Sequence, residues 1–296
     1  MKWRSLAVGL LVGALSLTAC GKEGSPGGGG GSVVNEPAAA DVQVTGSPTF
    51  DKIKQRGEVV VGVKNDQPGL GQVDPTTNTY SGFDVEVARL VAAQLGFAAD
   101  KIKYTVVQSA AREDAISRGD VDYYVGTYTI NDKRKQRVSF AGPYFVSGQG
   151  LLVRKDESAI TGKDSLKGKK VCSVSGSTPL QRVQQQQLTE PSNIIAFQTY
   201  TQCVEQLRNK QVDAVTTDDA ILKGYAAQSP DELKVVGDAF STEPYGIGLP
   251  HDDKALRDKV NDVLQKSFDD GTWQKIYDGT LGKSGSPASP PKLERY

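Results

Sequence analysis

Several residues spread along the chain carry groups that could grip a small charged molecule. Lys64, Arg112 and Arg134 are cations, Thr127 and Thr129 are hydroxyls two residues apart, Gly176-Ser177-Thr178 is a small, hydroxyl-bearing run, and Asp218 is an acid. Together they suit an amino acid. Its α-carboxylate wants a planar bidentate donor with hydroxyls and backbone N–H groups nearby, and Arg134, Thr129 and a helix start after Gly176 can supply them. Its α-ammonium wants a carboxylate, for which Asp218 is the candidate. Lys64 and Arg112 then remain. Unpaired buried charges cost several kcal/mol each, so two further cations at one cleft imply a second carboxylate, on the ligand side chain. Hydrogen bonds to charged groups contribute about 1.5–3 kcal/mol each, enough for two cations to select glutamate or aspartate over a neutral analogue. Each residue also has a plainer reading. Lys64 could pair with Asp66, Asp218 beside Asp219 could merely start a helix, and Thr127 and Thr129 could be ordinary strand residues.

The functional reading gains from the elements that must position these residues. In open α/β sheets, ligands bind beyond the carboxyl ends of the strands. The β-branched run over 58–63 predicts a strand buried on both faces, and Lys64, Asn65, Asp66 and Gln67 follow it. Phe83, Val87, Leu90, Val91 and Leu95 recur at helical spacing, with Gly96 as C-cap. A strand over 102–107 leads to Ser109 and Arg112, the latter opening a short helix over 112–118. A strand over 121–126 leads to Thr127, Thr129 and Arg134. This alternation predicts a parallel sheet, and it recurs. Strands over 170–175, 193–198 and 212–216 alternate with helices over 179–187 and 201–209. Gly176-Ser177-Thr178 follows the first of these strands and Asp218 the last. Val121-Asp122 and Val212-Asp213 each open a third strand, which suggests two lobes on one plan. Crossings near 144–151 and 245–249 join the lobes. A final helix over 254–268 and the segment 273–277 return to the first lobe.

The ends read differently. Met1-Lys2-Trp3-Arg4 is basic, and the apolar run over 6–19 is shorter than the roughly 20 residues that span a bilayer but suits a secretory signal core. It ends in Leu17-Thr18-Ala19-Cys20, which resembles the lipobox of bacterial lipoproteins. Residues 1–19 are therefore expected as a lipoprotein signal peptide, with an ordinary signal peptide and a chance cysteine as the alternative. Two acyl chains on Cys20, at about 0.8 kcal/mol per buried methylene, would anchor the chain to the cell membrane on its extracytoplasmic face. Residues 20–48, with a glycine-dominated start, are expected as the lipidated cysteine and a flexible linker, and 282–296 as a disordered tail. Lobe 1 is then 49–147 plus 249–281, and lobe 2 is 148–248.

Composition narrows the partners. Lys+Arg and Asp+Glu are both 35, so the chain lacks the basic excess expected of a nucleic-acid-binding protein. If Cys20 carries lipid, Cys172 and Cys203 remain, and an exported compartment permits a disulfide between them; two buried free thiols are the alternative. His251 is the only histidine, so no metal-binding histidine pair exists, and no cofactor is expected. Gly282-Lys283-Ser284 resembles the end of a phosphate loop, but Tyr277 stands where that motif needs a glycine.

The segments Thr127-Tyr128-Thr129-Ile130-Asn131-Asp132-Lys133-Arg134-Lys135, Phe140-Ala141-Gly142-Pro143-Tyr144-Phe145, Leu166-Lys167-Gly168-Lys169-Lys170-Val171 and Ser175-Gly176-Ser177-Thr178 occur in this order. They resemble the family 3 extracellular solute-binding proteins, the receptors of polar amino-acid ABC importers. The likeness covers most of 49–281. It implies a two-lobed α/β fold of the type II periplasmic-binding-protein kind, each lobe a mainly parallel sheet flanked by helices, on a two-strand hinge. It implies that Thr127, Thr129 and Arg134 bind the α-carboxylate with help from Gly176, Ser177 and Thr178, and that Asp218 binds the α-ammonium. Lys64 and Arg112 stand where the glutamate/aspartate receptors carry basic residues. Asp66-Gln67-Pro68-Gly69 departs from the aromatic pattern of glutamine and basic-amino-acid receptors. The Val63–Pro68 stretch and the Cys172/Cys203 pair resemble actinobacterial glutamate receptors.

The implied mechanism is closure of the lobes around the ligand, with a membrane permease as partner and a monomeric receptor. Glutamine or asparagine as ligand, or a sensory role for the same module, are the alternatives. An enzyme, such as a periplasmic dehydratase of the same fold, is disfavoured by the absence of a catalytic motif.

Overall fold

The computed structural model of the protein describes residues 32–284 and 287–296. The expected signal peptide, Cys20 and the first part of the linker lie outside these residues. The chain runs through α1 (Pro48–Arg56), β1 (Val59–Val63), β2 (Asp66–Gln67), β3 (Gly71–Asp74), β4 (Thr79–Ser81), α2 (Phe83–Gln94), β5 (Ile102–Val106), α3 (Arg112–Arg118), β6 (Tyr123–Tyr124), α4 (Asp132–Lys135) and the long β7 (Val138–Ser147). It crosses into β8 (Gln149–Arg154), β9 (Val171–Val174), α5 (Thr178–Gln185), β10 (Ile194–Phe197), α6 (Tyr200–Arg208), β11 (Ala214–Asp218), α7 (Asp219–Gln228) and β12 (Leu233–Val236). β13 (Glu243–Pro250) returns, followed by α8 (Lys254–Asp269) and α9 (Thr272–Gly279).

Two five-stranded sheets result, ordered β5-β1-β6-β13-β7 and β10-β9-β11-β8-β12. In each, the first three strands are parallel and the last two antiparallel. This is the two-lobed α/β architecture, with β7 and β13 as the paired crossings. Val59, Val61 and Val63 of β1 are buried, as a strand covered by helices on both faces requires. The repeated Val-Asp joints do the same work in both lobes. Asp122 Oδ2 accepts the Val60 N–H (2.6 Å), and Asp213 Oδ2 accepts the Lys170 N–H (2.8 Å). Each carboxylate pins the start of the strand beside its own, β1 in lobe 1 and β9 in lobe 2. Cys172 on β9 and Cys203 on α6 form a disulfide.

The hinge is held from lobe 1. Trp273 Nε1 donates to the Tyr144 carbonyl (2.8 Å), and its indole stacks on Tyr277 with centroids 5.3 Å apart. Phe83 meets both rings edge-on.

Two expectations are corrected. The described part of the 20–48 linker is packed, not a free tether. The Ala39 N–H donates to the Ala93 carbonyl (2.8 Å), Val44 is buried, and Ser47 caps α1 while donating to Asp253 Oδ2 (2.8 Å). The 282–296 tail, expected to be disordered, returns to lobe 1. The Glu294 N–H donates to the Gly142 carbonyl (2.8 Å), the Phe140 N–H donates to the Tyr296 hydroxyl (2.8 Å), and the Arg257 guanidinium lies 4.3 Å from the Tyr296 ring centroid. The reason is the edge of β7, whose unpaired backbone groups need partners. No helix among the described residues is long and apolar enough to cross a membrane.

Candidate ligand-binding site

The ends of β1, β5, β6, β9 and β11 converge between the lobes, and the expected residues meet there. Arg112, Thr127, Thr129, Arg134, Ser177, Thr178 and Asp218 line one cavity, with Ser109 and Tyr200 beside them. The cavity is small, about 10 Å³, because the two lobes already meet across it. Gly176 contributes its carbonyl, which accepts from Arg134 Nη2 (3.1 Å) and Arg112 Nη2 (3.4 Å). Only glycine fits there: its φ is +78°, and an added Cβ would lie 2.5 Å from Ala110 Cα of the other lobe. Lys64 lies deeper, its Nζ donating to Ser109 Oγ (2.9 Å). A larger, mainly apolar cavity of about 520 Å³ lies on the hinge side, lined by Phe145, Val146, Ala220, Tyr277 and tail residues such as Pro287. It contains none of the candidate ligand-binding residues named from the sequence.

The cations differ in how they are neutralised. Arg134 Nε contacts Glu113 Oε1 at 3.2 Å, and Nη1 donates to the Thr129 carbonyl (2.7 Å). Arg112 donates only to carbonyls, those of Ser109, Thr127 and Gly176. Among the described residues, neither Arg112 nor Lys64 has a carboxylate within 4.0 Å. Both guanidinium groups crowd the Tyr128 ring, Arg112 at 4.3 Å and Arg134 at 4.8 Å from its centroid, where the π-face attracts cations. Burial, then Arg112, lowers Arg134 to about 10. Burial chiefly, then the charge of Arg112, lowers Lys64 to about 7, against an opposing pull from Asp66. The Asp66 carboxylate itself accepts the Tyr200 N–H across the lobes (2.7 Å).

On the acidic side, Asp218 ends β11 and precedes α7. Its Oδ2 accepts from the Tyr245 hydroxyl (2.7 Å), and its Oδ1 is buried without a partner. Burial, then the negative charge of Glu243, raises it to about 7. Asp219 is engaged elsewhere, with Lys223 (2.5 Å) and Ser147 (2.6 Å). Thr127 is held with φ +46°, a strained conformation for a β-branched residue. Asp84, at the start of α2, fixes it: Oδ2 accepts the Thr127 N–H (3.0 Å) and Oδ1 accepts the Tyr144 hydroxyl (2.7 Å). Ser177 caps α5, its Oγ accepting the Leu180 N–H (3.1 Å).

Sequence reasoning missed Glu243. Its carboxylate is fully buried. Oε2 accepts from Thr129 Oγ1 (2.9 Å) and Thr178 Oγ1 (2.8 Å), one hydroxyl from each lobe, and Oε1 lies 2.8 Å from Arg182 Nη1. It is the one charged residue of β13, and a charge in an otherwise uncharged crossing strand is a usable signal. Glu113, next to Arg112, was missed as the partner of Arg134.

The profile described as "Bacterial extracellular solute-binding proteins, family 3" matches residues 59–283. The glutamate-binding protein GluB of Corynebacterium glutamicum is 39% identical over 269 residues, covering 86% of this chain and 90% of its own. The ABC transporter glutamine-binding protein GlnH of Bacillus subtilis is 33% identical over 273 residues, covering 92% and 94%. Among solved structures, an ancestral arginine-binding protein bound to arginine superposes with a TM-score of 0.71 at 32% identity, covering 77% of this chain and 99% of its own.

Proposed function

Because the chain belongs to the bacterial extracellular solute-binding proteins of family 3, we propose that it is the receptor of an ABC importer for an acidic amino acid, glutamate or aspartate. The observation that carries the reading is the meeting of Lys64 and Arg112 at Ser109, both buried and neither paired with a carboxylate among the described residues. A ligand side-chain carboxylate satisfies both at once; an amide leaves them unneutralised, at a cost of several kcal/mol for a buried charge. Arg134, Thr127, Thr129 and the start of α5 take the α-carboxylate, and Asp218, with its free buried Oδ1, takes the α-ammonium. Resemblance of residues 17–20 to a lipobox supports anchoring through Cys20 at the outer face of the cell membrane, where a single receptor copy presents its ligand to a permease.

Calorimetric titration of the soluble form with glutamate, aspartate, glutamine and asparagine tests this. The acids should bind at least about tenfold tighter than their amides, from the 1.5–3 kcal/mol of one charged hydrogen bond. Arg112→Ala should remove most of that preference. If the amides win in the parent protein, Lys64 and Arg112 do not read a carboxylate. A glutamine receptor is the second reading, favoured by the 33% identity to the Bacillus glutamine-binding protein.

A further inference from the structure

The lobes also touch outside the cavity. Asp66 and Pro68 form a lip on lobe 1 that sits in a notch between α6 and α7 of lobe 2. The Asp66 carboxylate accepts the Tyr200 N–H at the first turn of α6 (2.7 Å), a donor that has no partner within its own helix and lies at the positive end of the helix dipole. The Asp66 carbonyl accepts from the Tyr225 hydroxyl on α7. Pro68 rests directly against Gly224: a Cβ added there would lie 2.3 Å from the Pro68 carbonyl oxygen. None of Asp66, Pro68, Gly224 and Tyr225 lines the cavity of charged groups.

The notch is held together by lobe 2 alone. Cys203, one turn from Tyr200, ties α6 to β9 through the disulfide. Thr201 Oγ1 and the Tyr225 hydroxyl, 2.9 Å apart, tie α6 to α7. All of these groups belong to lobe 2, so the lip meets a fixed surface.

We propose that this lip and notch are a latch that sets how tightly every ligand is held, without touching any of them. The proposal rests on closure of the lobes around a bound solute, not on which solute. A ligand that binds the closed form has an apparent dissociation constant equal to its intrinsic one divided by the closed fraction. The latch changes that fraction alone, so it scales all ligands by one factor. Residues such as Arg112, by contrast, change one ligand against another.

Gly224→Ala is the sharpest test. Alanine is favoured over glycine inside a helix, so lobe 2 keeps its stability, and the added methyl collides with Pro68 only when the lip is seated. Glutamate, aspartate and glutamine should each bind on the order of tenfold weaker, by the same factor, with the change mostly in the dissociation rate. Tyr225→Phe should weaken all three by about two- to tenfold. Spin labels on the exposed residues Lys133 and Gln185, one in each lobe, report the distance between lobes without ligand, and Gly224→Ala should lengthen it. Unchanged affinities for all three ligands overturn the latch, as does weakening confined to one of them. If the parent protein binds none of these amino acids while Gly224→Ala still lengthens the label distance, the latch stands and the ligand assignment fails.

Discussion

Burial pushes Lys64 down and Asp218 up, each to about 7. On the proposed assignment, a bound acidic amino acid returns both toward their ordinary values, because its side-chain carboxylate favours the charged lysine and its ammonium favours the charged aspartate. Binding therefore takes up a proton at Lys64 above pH 7 and releases one from Asp218 below it. If each group recovers its ordinary value fully, linkage weakens glutamate by about threefold at pH 6 and by about eightfold at pH 8.5, relative to pH 7. Glutamine has no side-chain carboxylate, so Lys64 stays uncoupled. Glutamine keeps the acid limb and, at pH 8.5, binds up to about twofold tighter than at pH 7 as Asp218 finishes ionising. Titration calorimetry across this range, in two buffers of different ionisation enthalpy, gives both the affinities and the number of protons exchanged. An alkaline limb shared equally by glutamate and glutamine would falsify the assignment of Lys64 to the side chain.

The fold offers further tests. The disulfide closes a loop with a sequence separation of 31, so Cys172→Ala with Cys203→Ala should cost about 3–4 kcal/mol in urea unfolding; a loss below about 1 kcal/mol would mean the unfolded chain is not what the bond restrains. Removing 287–296 should unmask the edge of β7 and cost about 1.5–4 kcal/mol, the sum of two hydrogen bonds and a cation–π contact. Hydrogen exchange reads it directly: the Phe140 amide, which donates to the Tyr296 hydroxyl, should lose protection. Unaltered protection there would show that the tail does not hold the edge.

The alternating lobes were legible because periodicity reports burial, and in a doubly covered sheet burial is nearly all that a strand needs. The run at Val59–Val63 and the start of α3 at Arg112 fall where the pattern put them. β6 is only two residues long, shorter than the apolar run 121–126 suggested, because the chain leaves the sheet early to set Thr127 at positive φ. That departure depends on Asp84, far away in sequence, and no local signal carries it. The tail failed for a related reason. Its proline- and serine-rich average describes a chain with no surface to fold on, whereas Leu293 and Tyr296 dock on one that other segments create. Strand-end position identified the charged residues of the cleft, but their pairing did not follow from it. Glu113 follows Arg112 in sequence but pairs with Arg134 in the fold.

That pairing bears on how selectivity can arise. Thr129 and Thr178 already donate to Glu243, and Arg134 already faces Glu113. An incoming α-carboxylate exchanges one anionic partner for another, so its net gain is smaller than its contacts suggest. Among the described residues, Lys64 and Arg112 have no such internal carboxylate to give up. A second ligand carboxylate there removes a standing desolvation cost instead of replacing a satisfied contact. On the proposed assignment, the α-carboxylate contacts, common to all amino acids, are thus discounted by the protein's own glutamates, while the side-chain contacts are not. Discrimination between ligands then falls, on that assignment, on Lys64 and Arg112, the two cations without a carboxylate partner among the described residues.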